Sequence, residues 1–205
     1  KDLLLKKLED LNDADLKMIG EILEKSAEKI KVNTELVLNY SEVSIGNYKP
    51  TLASLDIYED IILGVFIKFQ SQAKIKGLAL ELNNVANVTS VFVDEFSTRQ
   101  IIFNLLDNAL KYTLEGGVTI NLFNNTNKEV VVEIADTGIG MTDAEINKYL
   151  KPFETTDSNG SIEKEGVGIG LPLVQKYCEI NNIEMEINSV KGNGTTIILI
   201  FKRNL

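Results

Sequence analysis

The sequence predicts an α+β fold: a two-layer α/β sandwich, with a mixed sheet covered by three helices, preceded by a helical hairpin. Three observations point there. Apolar residues recur at alternating threes and fours before residue 46, the period of a helix packed along one seam. After "GNYKP", where Gly46 and Pro50 break the helix, five or so strand-like runs are mixed with helical ones. A hydrophobic content of 44% and a charged content of 25% over 205 residues allow one well-cored domain plus an appendage.

The longest helical pattern runs from residue 14 to about 45, with Leu16, Ile19, Leu23, Ile30, Val37 and Tyr40 on one seam and Ser26 and Asn33 as polar interruptions. Asp13 is the expected N-cap. Before it, the leucine-rich "DLLLKKLED" makes a shorter arm of about three turns at ~3.6 residues per turn. A long apolar seam needs cover along its length. We expect that cover from a first arm continuing upstream of Lys1, from another chain, or from the following domain. The chain begins with Lys1 rather than Met, which suggests a fragment.

Beyond Pro50 the pattern predicts a short strand near 51–55, a helix over about 56–75, strands at 78–83 and 90–94, and a helix over about 95–112. Then follow the strands "GVTINLF" and "EVVVEIAD", a helix near 142–149, a polar stretch, a helix near 171–181, and the strands "IEMEINSV" and "GTTIILIF".

Composition removes several function classes. A net charge of −9 argues against a general nucleic-acid binder. There is no histidine, which excludes Ser-His-Asp catalysis and His-based zinc sites within these residues. The single cysteine, Cys178, rules out an internal disulfide and fits a reducing compartment. The longest apolar run, "IILGVFI" at 61–67, is too short to span a bilayer.

Four stretches carry the chemistry. In "NLLDNALKYT", Asn104, Asn108 and Lys111 share one helical stripe opposite Ile102, Leu105, Leu106, Ala109 and Leu110. Two carboxamides and an ammonium facing one way suit a metal ion and a polyphosphate, or simply a solvated face. "VVVEIAD" ends at Asp136 and runs into Gly138 and Gly140, which fits a carboxylate accepting from the amino group of adenine, or a turn closing a hairpin. "GVGIGLP" places Gly166, Gly168 and Gly170 before a helix with Pro172 in its first turn, a pattern whose free amides suit phosphate oxygens. Between these, residues 151–166 are polar and small after Phe153, as in a mobile lid or an ordinary surface loop.

In this order, "NLLDNALKYT", "DTGIGM", "KPFE", "GVGIGL" and "GNGTTI" resemble the asparagine, first glycine, phenylalanine, second glycine and final glycine motifs of sensor histidine kinases, within the superfamily that includes gyrase, mismatch-repair ATPases and a chaperone class. The resemblance covers about 50–201 and extends into "ELVLNYSEV", similar to the end of a dimerisation domain's second helix. It implies a truncated dimerisation hairpin over 1–48 and an ATP-binding catalytic domain over 49–205. Asn108 would hold Mg²⁺, with Asn104 supporting that corner. Lys111 would neutralise phosphate, and Tyr112 would pack beside base or ribose. Asp136 would read adenine, with Gly138 and Gly140 at the pocket floor. Gly166, Gly168, Gly170 and Leu171 would carry the polyphosphate, and Thr195 or Thr196 would line the base pocket.

The implied activity is transfer of the ATP γ-phosphate to a histidine upstream, for relay to a response-regulator receiver domain, in a cytoplasmic homodimer formed through the hairpin. Membrane attachment would come only through segments absent here. Two features depart from the family pattern. The phosphoacceptor histidine is missing, and the lid has Lys151 and Lys164 where an arginine is usual. Three other readings remain: a chaperone-like ATPase, a degenerate nucleotide-binding module, and a serine kinase resembling anti-sigma factors. The first needs a glutamate one turn before the metal asparagine, where Asn104 stands.

Overall fold

The computed structural model describes residues 13–154 and 167–202. Packing divides the chain between Asn39 and Tyr40. Helix α1 (Asp13–Ser44) makes up the described part of the first unit and runs on across the division. Asp13 is its first residue rather than the cap before it. The predicted first arm lies outside the described residues. Leu16, Ile19, Leu23 and Ile30 are exposed along the predicted seam. The hydroxyls of Ser26 and Thr34 donate to the carbonyls of Ile22 and Ile30, the usual way such a group is satisfied inside a helix.

Within the second unit, Gly46, at φ 75°, ends the helix in left-handed backbone. Strand β1 (Leu52–Asp56) follows. The helix predicted over 56–75 is two segments, a π-turn at Ile57–Ile62 and helix α2 (Leu63–Lys76). Asp56 starts it by accepting from the amides of Tyr58 and Glu59. The wider i→i+5 turn lets Ile57, Ile61 and Ile62, all fully buried, share one face. Gly77, at φ 70°, closes α2.

Strands β2 (Ala79–Asn84) and β3 (Ser90–Asp94) lead to helix α3 (Glu95–Tyr112), then β4 (Gly117–Asn124) and β5 (Val130–Asp136). Helix α4 (Asp143–Tyr149) starts on a capping box of Thr142 and Glu145. Helix α5 (Gly170–Ile180), β6 (Ile183–Val190) and β7 (Gly194–Phe201) complete the unit.

Five strands form a mixed sheet in the order β2-β4-β5-β7-β6, parallel between β2 and β4 and antiparallel elsewhere. β1 and β3 pair with each other in a separate antiparallel ribbon. Helices α2, α3 and α5 lie against the sheet as the second layer, α2 on β2, α3 on β4 and β5, and α5 on β6. Directly paired residues share a face, so the register writes the core out in rows. Leu82, Ile120, Ile134, Ile197 and Ile187 form one row across all five strands, and Leu122, Val132, Leu199 and Met185 form the next. Ile101, Ile102, Leu105, Leu106 and Leu110 of α3 and Leu173, Val174 and Tyr177 of α5 are buried in the same core.

A buried polar knot joins α3 to α5. Asp94 caps α3 by accepting from the Ser97 amide at 2.8 Å and its hydroxyl at 2.7 Å. It also accepts from the Tyr48 hydroxyl at 2.6 Å and the Thr51 amide at 2.8 Å, which fastens the segment entering β1. Asn181, capping α5, accepts from the Asp94 amide and donates to the Ser97 hydroxyl. Burial works against the Asp94 charge, but the bonds from Tyr48, Ser97 and Thr51 outweigh it and hold the carboxyl below the usual carboxylate range.

Candidate functional site

One step beyond the isoleucine row, the same core face turns polar: Val118 is followed across the sheet by Asp136, Thr195 and Ser189. The register puts Thr195, not Thr196, on the face of Asp136, since Thr196 pairs with Ala135. The Asp136 Oδ1 atom accepts from the Gly138 amide at 2.8 Å and the Thr195 amide at 3.2 Å. No described residue donates to Oδ2. Burial drives the Asp136 carboxyl above its ordinary range, and the two amides only partly counter it. A half-buried carboxylate with one oxygen locked and the other open is built to accept a hydrogen bond from a ligand.

The turn after Asp136 is pressed between the end of α3 and the adjoining ends of β6 and β7. The Ile139 amide donates to the Tyr112 carbonyl at 3.2 Å, and a Cβ added at Gly138 would lie 2.5 Å from that oxygen. Gly140, at φ 57°, leaves no room for a Cβ beside the Val190 carbonyl. The 190–194 turn is stapled on from the other side. The Gly192 amide donates to the Ile139 carbonyl at 2.7 Å, and Lys191 pairs with Glu145 at the start of α4.

Asn104, Asn108 and Lys111 share the α3 stripe, but the stripe is not simply solvated. Asn104 is only 7% exposed, and its Nδ2 donates to the Gln100 carbonyl at 2.8 Å. Asn108 and Lys111 are half-buried, and the Lys111 ammonium lies 5.1 Å from the centre of the Tyr112 ring. A Cβ built on Gly170 would stand 3.8 Å from Asn104 Oδ1 and 3.7 Å from Asn108 Nδ2, so both amides converge on the first residue of α5. Leu171 and Pro172 follow in that first turn. Gly168, at φ 72°, packs against the Glu154 backbone, and its carbonyl accepts from the Phe153 amide at 2.9 Å. Gly166 and Lys164 lie outside the described residues, and Lys151 sits exposed just after α4.

The structure therefore brings Asp136, Gly138, Gly140 and Thr195 together at one sheet end, and Asn104, Asn108 and Gly170 together where α3 meets α5. Tyr112 connects the two groups through its carbonyl. Sequence reasoning passed over Ser189. Its signal was a polar residue two positions beyond Ile187 on a core-facing strand. Among the described residues no group of three or more His, Cys, Asp or Glu side chains could hold a metal ion. A cation here would take amide and ligand oxygens, as a small hard cation does.

The family described as "Histidine kinase-, DNA gyrase B-, and HSP90-like ATPase" matches over residues 93–205. A cell-division control histidine kinase, PdhS of Brucella anthropi, is 29% identical over 174 residues, which cover 80% of this chain and 16% of the relative. The chain thus spans about a sixth of that relative's length. Among solved structures, full-length ShkA in complex with AMPPNP superposes with a TM-score of 0.77 at 22% identity, over 94% of this chain and 40% of that one. The Acinetobacter baumannii histidine kinase AdeS superposes with a TM-score of 0.71 at 18% identity, over 95% and 87%. These likenesses establish the α+β architecture.

Proposed function

Because the chain belongs to the family of histidine kinase-, DNA gyrase B-, and HSP90-like ATPases, we propose that it binds ATP with Mg²⁺ and donates the γ-phosphate to a histidine outside these 205 residues. The observation that carries this is the Asp136 carboxylate, with Oδ1 held by two amides and Oδ2 open, beside a helix pair whose amides converge on Gly170. In this reading Asp136 accepts from adenine N6, and the α5 N-terminus with Gly168 and Gly170 receives phosphate oxygens. Gly138 and Gly140 let the backbone approach the base, and Tyr112 packs beside it. Asn108 contributes an oxygen to Mg²⁺, which neutralises phosphate charge when bound. Lys111 adds a positive charge beside the phosphates.

The likeness to PdhS supports a kinase in a two-component system, with a receiver domain as the phosphate's next stop. The exposed apolar seam of α1 supports a homodimer. Asn104 speaks against the chaperone-like ATPase, because an amide already donating to Gln100 cannot take a proton from water.

Transfer needs a nucleophile in line with the γ-phosphorus. An imidazole nitrogen would form the new bond as the bridging oxygen leaves with ADP. With γ-labelled ATP, the 205-residue chain should stay unlabelled. A longer chain carrying the upstream helix should take up a label that acid removes and mild base does not. Stoichiometric labelling of the 205 residues, or an acid-stable label on the longer chain, would favour the serine-kinase reading instead.

Base choice gives a second expectation. Calorimetry should show ATP bound well and GTP poorly, and Asp136→Asn should weaken ATP by about 1–3 kcal/mol. The binding form is the carboxylate, and its pKa is raised, so ATP affinity should fall with acid earlier than an ordinary carboxylate would allow. The variant should lack this limb. Equal ATP and GTP affinities would remove Asp136 from the role.

A further inference from the structure

We propose that Ser189 is a specificity-determining residue, fixing the hydrogen-bond polarity of the base pocket so that Thr195 presents only lone pairs. This rests on the nucleotide reading above.

The Ser189 hydroxyl has three partners. The Met141 amide, 2.7 Å away, can only donate to it. The Gly194 carbonyl, 3.0 Å away, can only accept from it. A hydroxyl carries one proton, and only by giving it to the carbonyl, which has none to offer, does Ser189 make all three contacts hydrogen bonds. The remaining contact, 2.9 Å to Thr195 Oγ1, then runs one way: Thr195 donates and Ser189 accepts. With its own proton spent, Thr195 Oγ1 has only acceptor capacity left.

That matters because of where Thr195 stands. It pairs directly with Asp136 on one side and with Ser189 on the other, so the three side chains form a row on one face. Its amide also donates to Asp136 Oδ1. The pocket end of the sheet thus offers two acceptors, Asp136 Oδ2 and Thr195 Oγ1, and no hydroxyl proton from this row. At position 6, an amino purine supplies a donor to such a surface, whereas an oxo purine sets acceptor against acceptor. Without the Ser189 hydroxyl, Thr195 regains a free proton and can serve either base.

The test is calorimetry of ATP, ITP and the triphosphate of unsubstituted purine riboside with Mg²⁺, on the unsubstituted chain, Ser189→Ala, Ser189→Thr and Asp136→Asn. The ATP-to-ITP preference should drop about tenfold in Ser189→Ala. It should return in Ser189→Thr, which restores the hydroxyl, while affinity for the purine riboside triphosphate changes little. Thr195→Val, nearly the same shape without the hydroxyl, should lower the preference even if Ser189→Ala folds poorly. The proposal is overturned if Ser189→Ala keeps the preference while Asp136→Asn loses it, or if all three nucleotides weaken equally, as a purely structural role predicts. Failure of the unsubstituted chain to bind ATP overturns the nucleotide reading itself and this proposal with it.

Discussion

The substitution Gly194→Ala is expected to abolish ATP binding and to lower the melting temperature. Gly194 sits at φ 93°, and an added Cβ would run into the Asp136 carbonyl at the last rung of the β5–β7 ladder. Left-handed strain of about 1–2 kcal/mol adds to overpacking of about 1–3 kcal/mol. The only relief is to part β7 from β5 at the row that holds Asp136 and Thr195. Gly192→Ala is the control: φ is 83°, but nothing lies within 4 Å of the new Cβ. That variant should bear only the strain and keep its ATP affinity. Thermal unfolding and calorimetry on both variants check this, and normal ATP binding by the Gly194→Ala chain would show the row to be irrelevant to the ligand.

Removing the Asp94 carboxylate should be the most damaging change away from the site. Asp94→Ala leaves the Tyr48 hydroxyl and the Thr51 and Ser97 amides without their acceptor, and the Ser97 hydroxyl with only the long contact to the backbone carbonyl at 3.4 Å. Asp94 is 6% exposed, so water cannot readily replace it. The expected cost is about 3 kcal/mol or more, read from denaturant midpoints, whereas Tyr48→Phe, which removes one donor, should cost about 1 kcal/mol. The folded pKa is depressed, so this contribution is complete above the unfolded value of about 3.9 and is lost as pH falls through the folded one. Wild type and Asp94→Ala should therefore converge in stability in strong acid. A constant gap down to that range would mean that packing, not charge, is what Asp94 supplies.

Much of the fold was legible because its signals are local. The apolar-periodic run after the strand at 90–94 gave α3 at residues 95–112, and the strands at 183–190 and 194–201 stood between evident turns. The π-turn was not legible, since "IYEDII" has the same apolar spacing whether the winding is α or wider. Neither was the separation of β1 and β3 into their own ribbon, because register is a long-range choice that no strand's pattern contains. The same limit applies to the site. The glycine turns and the amide stripe are short patterns, but the Asp136–Thr195–Ser189 row exists only after three strands pair. The Asn104 stripe read equally as a ligand-facing or a solvated face, and only the packing of α5 against α3 buries Asn104.

The parallel pairing of β2 with β4 has a kinetic consequence. Hairpin neighbours such as β4 and β5 can meet soon after they are made, but Ala79 cannot reach Gly117 until the chain between them, α3 included, has been looped over. Closing that loop costs entropy before any contact repays it, which slows folding relative to a helical segment of similar length. The helix that bears Asn104, Asn108 and Lys111 is itself the crossover, so it reaches its final position in the same event that adds the edge strand to the sheet. Refolding followed at the β2 edge and at α3 should then share one rate.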